Sequence, residues 1–167
     1  MRHAKNLNTI KMKQLIQFLD ITLTGLIAGV IFGIWIGNNP QDLSAVTYVE
    51  QQQNTIRALN VLMPILGLIS IILTGIYAVL SKGEKLNRNL LLLATAFLII
   101  SGLITRFGNQ PINAIVITWK LENIPDIWST LRDKWWSFHI MRTLSAMTGF
   151  ALIVYVSIFN KIKGRNV

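Results

Sequence analysis

Residues 24–37 read TGLIAGVIFGIWIG, an uncharged apolar run with Gly25, Gly29, Gly33 and Gly37 at strict four-residue intervals. Glycine inside a water-exposed helix costs about 1 kcal/mol against alanine. Four of them on one stripe need a reason, and a lipid setting provides one. Where no water drives helices together, small residues let backbones approach closely. The run sits within a longer apolar stretch, Leu15 to Ile36. Three similar stretches follow, Val61 to Leu80, Leu90 to Thr105 and Met141 to Phe159. A spanning helix needs roughly 17–25 residues, so the third is short but adequate. Lipid leaves no water for open backbone groups, so each run is predicted to be a helix. The expectation is an all-α membrane four-helix bundle, with residues 1–167 forming one domain.

Composition agrees. The 167 residues are 52% hydrophobic and 14% charged, against roughly 25% charged in an ordinary soluble domain. The net charge of +9 raises nucleic-acid binding, but its distribution speaks against that partner. The amino-terminal tail (Arg2, Lys5, Lys11, Lys13), the loop 81–89 (Lys82, Lys85, Arg88) and the carboxy-terminal tail (Lys161, Lys163, Arg165) hold ten of sixteen basic residues and one acid, Glu84. Asp42, Glu50, Glu122, Asp126 and Asp133 lie in the two other connections. The positive-inside rule then predicts both termini and the short loop in the cytoplasm, with 37–60 and 106–140 outside. Anionic lipid is the expected partner of the basic ends, and the plasma membrane the expected location.

Several chemistries are excluded. The first apolar run is longer than a signal-peptide core, and its exit, GNNPQD, is no small-x-small cleavage site, so it reads as a retained span. Cysteine is absent, which removes disulfides, thiolate metal sites and a cysteine nucleophile. With two histidines, His3 and His139, no histidine-rich metal or haem site can be assembled in one chain. There is no P-loop, GxGxxG or serine elbow.

The glycine stripe drifts about 40° per step and cuts a groove about 18 Å long. Its plain reading is close packing, against a neighbouring helix, a second copy of the chain or a membrane partner. Its functional reading is room for a flat ligand near Gly33 and Gly37.

The second outward connection and its flanks, residues 106–142, read RFGNQPINAIVITWKLENIPDIWSTLRDKWWSFHIMR and contain four of the five tryptophans. Helix–helix connections usually take 2–8 residues, so this one is predicted to carry its own helices. Pro111 suits the first turn of a segment to about Leu121. Pro125 suits the first turn of another that continues into the fourth span. On the latter, Trp128, Arg132, Trp135, His139 and Arg142 follow intervals of 4, 3, 4 and 3 and share one face, with Lys134 and Trp136 directed elsewhere. An interfacial aromatic belt with snorkelling cations is the plain reading. Yet a belt needs no ordered alternation of ring and charge, and ionisable groups at this depth usually face the bundle interior.

Arg106, Asn109, Gln110, Asn113 and Asn60 are expected at the same level, a polar roof over an apolar pocket. Pro64, four residues beyond Asn60, cannot donate to the Asn60 carbonyl and kinks the helix or marks its irregular start. Asp20, at the other end of the first span, is expected to have a structural partner such as Lys82 or Arg88.

The glycine-rich first span, NQPINAIVITW (109–119) and WSTLRDKWWSFHIMRT (128–143) resemble the anthrone oxygenase-like family of small four-span membrane proteins. The resemblance covers the layout of most of the chain and is specific over 109–143. It rests on Asn109, Pro111, Asn113, Trp119, Trp128, Arg132, Trp135 or Trp136, His139 and Arg142. Fungal proteins of this layout oxidise an anthrone to an anthraquinone; most bacterial relatives have no assigned reaction. The resemblance implies proton removal from an acidic methylene, with His139 as base. Arg142 or Asn113 would stabilise the enolate oxygen. An electron-rich enolate reacts with dioxygen directly, so no cofactor or metal is expected. Asn109, Trp128, Arg132, Trp135, Asn60 and Gly33 are the expected contacts of a lipophilic, planar substrate. The competing class is non-enzymatic, either an accessory subunit packed through its glycine groove or a carrier of a lipophilic molecule. An enclosed pocket touching both His139 and Asn113 would favour the enzyme.

Overall fold

The computed structural model describes the backbone of residues 2–163 and the side chains of residues 10–159. The side chains of Arg2, His3, Lys5, Lys161 and Lys163, and the whole of Arg165, lie outside the described residues. Four helices are long and apolar enough to cross a membrane. The elements are α1 (Arg2–Gly37), a 3₁₀ turn (Pro40–Asp42), α2 (Ala45–Leu59), α3 (Leu62–Leu80), α4 (Lys85–Ile104), a π turn (Thr105–Asn109), α5 (Gln110–Val116) and α6 (Trp128–Lys163). There is no strand among the described residues, only an isolated bridge between Lys120 and Asn123.

The spanning helices run alternately up and down, so the amino-terminal half of α1, the α3–α4 loop and the carboxy-terminal half of α6 meet at one end. Lys13 Nζ reaches Glu84 Oε1 at 2.9 Å, and Gln17 Nε2 donates to the Ser157 carbonyl at 3.4 Å. This end is called inner below, following the charge distribution. At the outer end Gln41 Nε2 donates to Asp133 Oδ1 and Gln51 Nε2 to Asn38 Oδ1.

Two apolar clusters stack along the bundle. The inner one centres on Tyr77, Leu91, Ala94, Leu98, Ile153 and Val156, and the outer one on Ile56, Ile112, Val116, Trp135 and Trp136. Large side chains elsewhere, such as Leu26, Ile65, Leu68 and Leu92, are exposed, as expected of surfaces that meet lipid. Close approach of α4 and α6 depends on Gly149, where a Cβ would stand 3.1 Å from the Ala94 carbonyl oxygen. Gly108 lies under the Phe138 ring, with Cγ only 2.6 Å from a Cβ position.

Several expectations are corrected. The third span does not end at Thr105. Its helix passes through the π turn into α5 and reaches Val116, because the amides after Thr105 keep finding carbonyls one residue further back. The outer segment beginning near Pro111 stops at Val116, short of Leu121. The fourth span starts at Trp128, and Pro125 sits just outside it, its carbonyl accepting from Trp128 N at 3.0 Å. From there α6 continues unbroken into the membrane. The connection 37–60 contains a helix that went unforeseen, α2. Ser44 caps its start, accepting from Thr47 N at 3.3 Å, and Tyr48, Val49, Gln52, Gln53 and Ile56 form its buried face. Pro64 falls in the first turn of α3 and frees the Asn60 carbonyl, as anticipated. Gln110 Nε2 occupies it at 3.4 Å.

Candidate functional site

The face of α6 that carries rings and charges forms a ladder. At its outer end the Arg132 guanidinium lies 4.8 Å over the Trp128 ring while its Nε contacts Asp133 Oδ1 at 2.9 Å. Tyr48 of α2 packs against Trp128, ring centroids 6.0 Å apart. Burial holds the Tyr48 phenol above its ordinary range, so it stays protonated.

About two turns deeper than Arg132, His139 is completely buried. Its ring stacks on Trp135 at 5.0 Å and on Trp136 at 5.4 Å, nearly parallel to both. Trp136 therefore belongs to this cluster, contrary to expectation; residues three apart on a helix meet as readily as those four apart. His139 Nε2 lies 3.0 Å from the Ile31 carbonyl of α1, an acceptor, so the ring hydrogen sits on Nε2. Nδ1 is then the acceptor, and Arg142 fills it with Nη2 at 2.8 Å and Nε at 3.2 Å. Arg142 Nη1 also reaches Thr105 Oγ1 at 3.4 Å. A neutral imidazole with both nitrogens engaged thus fixes the guanidinium, a charge-assisted contact of about 1.5–3 kcal/mol. Thr105 belongs to the π turn, an irregularity that often marks functional positions.

Three cavities lie along this face. The largest of the three, about 220 Å³, lies between α1, α3, α4 and α6 and is open on one side. Its walls are apolar (Ile27, Ile31, Ile71, Leu98, Ala146), with Arg142, Thr105, Arg106 and Gln110 toward the outer end and Thr24 and Ser70 toward the inner end. The second, about 40 Å³, shares Arg142 and Thr105 with the first and adds Asn60, Gln52, Asn113 and Trp135. The third, about 30 Å³, shares Gln52 and Trp135 with the second and continues outward past Asn38 and Tyr48. Arg142 stands between the first two.

The polar roof exists and is tightly wired. Asn113 Oδ1 accepts from Trp135 Nε1 at 2.8 Å and Gln52 Nε2 at 3.1 Å, and Asn113 Nδ2 donates to Asn60 Oδ1 at 2.8 Å. Asn109 is fully buried and donates to the Trp135 carbonyl at 3.0 Å. Gln53 donates to the Val116 and Trp119 carbonyls at 3.0 and 2.9 Å, closing the end of α5. Gln52 and Gln53 were missed. Their signal was the QQQN run on an otherwise amphipathic segment.

Arg142 and Asn113 thus reach one cavity together, and Asn60 and Trp135 join them. Five residues expected at the site line none of the three cavities. His139 lines none of the three cavities, since Trp135, Trp136, α1 and Arg142 enclose it. Trp128 and Arg132 are held in the rim contacts with Tyr48 and Asp133, away from the cavity walls. Asn109 is consumed by packing against α6. Gly33 is exposed and lines none of the three cavities. Its stripe splits: Gly25 packs on Phe150, 3.1 Å from a Cβ position, whereas Gly29, Gly33 and Gly37 face open space. Asp20 meets Thr74 Oγ1 at 2.8 Å and Thr24 Oγ1 at 3.3 Å. No ion pair joins it to Lys82 or Arg88 among the described residues.

A family model described as anthrone oxygenase matches residues 53–152. The chain belongs to the anthrone oxygenase family. No curated protein and no solved structure matches it. The anthrone oxygenase match starts within α2 and ends within α6. It therefore contains the roof except Gln52, the π turn and the His139–Arg142 pair, while α1, with its glycine stripe and Asp20, precedes it. In this anthrone oxygenase family member the matched residues supply the guanidinium and most of the roof, and α1 closes the cavity from outside the match.

Proposed function

We propose that this plasma-membrane protein is a cofactor-independent oxidoreductase acting on a compact, planar, lipophilic aromatic held in the 220 Å³ cavity. The observation that carries this reading is the Arg142 guanidinium, fixed by His139 and Thr105 on the wall of a mostly apolar chamber. The volume is below the ~300–1,000 Å³ of drug-sized sites, which suits a small fused-ring molecule. Family membership supports an anthrone-type substrate. In that reaction the ring methylene opposite the carbonyl, acidified through the flanking aromatic rings, loses both hydrogens. One oxygen atom of dioxygen becomes the new carbonyl and the other leaves as water.

Such a substrate needs its enolate oxygen stabilised. A guanidinium in a low-dielectric chamber does this strongly because it is already oriented before charge develops. Asn113 keeps one amide hydrogen beyond its bond to Asn60 but lines the adjoining 40 Å³ cavity, so it would serve as a second donor only to a substrate that reaches past Arg142. His139, with Nδ1 filled by Arg142, serves as the group that aims the guanidinium. The lipophilic substrate enters from the bilayer.

A second reading, binding of a lipophilic molecule without chemistry, is favoured by the absence of His139 from the cavity walls. The open glycines 29, 33 and 37 suit the third, an accessory subunit, although a formed cavity speaks for a ligand.

The test has two steps. Native mass spectrometry of the purified chain identifies the retained small molecule, and oxygen uptake is then followed with that molecule and with anthrone. The oxidoreductase reading predicts uptake that falls at least tenfold in Arg142→Gln. Retention of a ligand with no oxygen uptake selects the binding reading. An empty cavity with no uptake removes both.

A further inference from the structure

Asp20 lies at the depth of the apolar runs, is completely buried and belongs to no part of the outer site. An ionisable side chain there is costly and needs a partner. Its surroundings determine which form it takes. Thr74 Oγ1 lies 2.8 Å from Asp20 Oδ1 and also 2.8 Å from the Ser70 carbonyl oxygen. A hydroxyl carries one hydrogen. Were Asp20 ionised, one of those two short oxygen–oxygen contacts would have no hydrogen in it. The two contacts are both satisfied when Thr74 donates to the Ser70 carbonyl, its ordinary back-bond within the helix, and Asp20 donates to Thr74. Thr24 Oγ1, at 3.3 Å, then donates to the same carboxyl.

Two further observations agree. Asp20 Oδ2 is buried without a hydrogen-bond partner. An ionised carboxylate has about four acceptor sites, and a bare charged oxygen here would carry a penalty of several kcal/mol. No cation pairs with Asp20 among the described residues.

We infer that Asp20 is a neutral, proton-carrying acid and forms an exchange site between the inner surface and the main cavity. Both of its directions are polar. Thr24 and Ser70 line the inner end of the cavity. Toward the inner surface, three residues beyond Thr74 on α3, stands the Tyr77 hydroxyl, buried without a hydrogen-bond partner. Glu84 contacts Lys13 and Asn87. The ligand of this site is a proton, passed along hydroxyls that lie between the cavity and a charged surface pair. The inference stands whatever occupies the cavity.

The experiment uses the full chain in lipid nanodiscs at neutral pH. Dicyclohexylcarbodiimide, an apolar reagent, adds to protonated carboxyls by taking up the acid proton on nitrogen and forming a bond to the carboxyl oxygen. Peptide mapping should place the stable N-acylurea on Asp20. Infrared spectra should contain a carboxylic-acid carbonyl band that moves on transfer to D₂O and is lost in Asp20→Asn. That variant keeps the shape and neutrality of the acid, so its melting temperature should stay within a few degrees of the parent. If Asp20→Asn does not fold, the D₂O-sensitive acid band and the mapped adduct of the parent decide. Absence of the acid band overturns the inference, as does a band that never responds to D₂O. Protection of Asp20 from the carbodiimide by sodium ions would assign its oxygen cluster to an alkali cation and overturn the proton assignment.

Discussion

At the scale of single residues, the decisive pair is His139 and Arg142. The imidazole offers one acceptor, and the guanidinium fills it. If His139 works by aiming Arg142, their substitutions act on one function and do not add. His139→Phe keeps the ring stack on Trp135 and Trp136 and removes only the two nitrogens. Ligand retention or oxygen uptake in the His139→Phe/Arg142→Gln double variant should equal that of Arg142→Gln alone. Losses that multiply would return His139 to a separate role as base. Spacing on α6 was enough to place Trp135, His139 and Arg142 on one face. It did not reveal that Arg142 would turn back by three residues and occupy the imidazole, leaving its own outer surface to the cavity. Nor could it show Trp136 joining the stack, because i+3 and i+4 neighbours are equally near on a helix. That Gly33 faces open space was hidden for a related reason: a small-residue periodicity marks a face without saying what that face meets.

At the scale of elements, α2 is the piece that composition hid. Its buried face includes two glutamines, so its overall apolarity is low although its helical period is clear, and a short amphipathic segment beside four apolar spans attracts little notice. Its work is polar. Gln53 donates to the Val116 carbonyl, which also accepts from Trp119 N, and to the Trp119 carbonyl beyond the end of α5. Gln53→Leu should cost about 1–3 kcal/mol, the penalty for a buried acceptor left without its donor. Hydrogen exchange should rise locally over residues 117–124 while the amides of α3 and α4 remain protected. An equal rise throughout the bundle would mean that α2 holds far more than this cap. The four spans, by contrast, were legible, because the length and apolarity needed to cross a bilayer leave little choice of structure. Their ends were not: Pro125 lies before its helix, and Thr105 does not close the third span, since local hydrogen bonding decides both.

At the scale of the whole molecule, charge asymmetry predicts which end faces the cytoplasm. The absence of cysteine makes a direct check simple, because any introduced thiol is the only one. In intact cells, an impermeant maleimide should label Glu122→Cys and leave Lys82→Cys unlabelled until the membrane is opened. The reverse pattern would invert the molecule and place the roof in the cytoplasm. The outer end follows an angular irregularity within the third long helix. The π turn at Thr105–Asn109 accommodates one residue more than an α-helical turn, and one residue is about 100° of rotation. Because the wide turn absorbs that surplus, everything after it stays in phase, with Asn113 toward Trp135 and Val116 toward Gln53. Deleting a single residue there would leave a more regular rod of nearly equal length, with those contacts still nearly in phase, so the roof should outlast the irregularity beneath it.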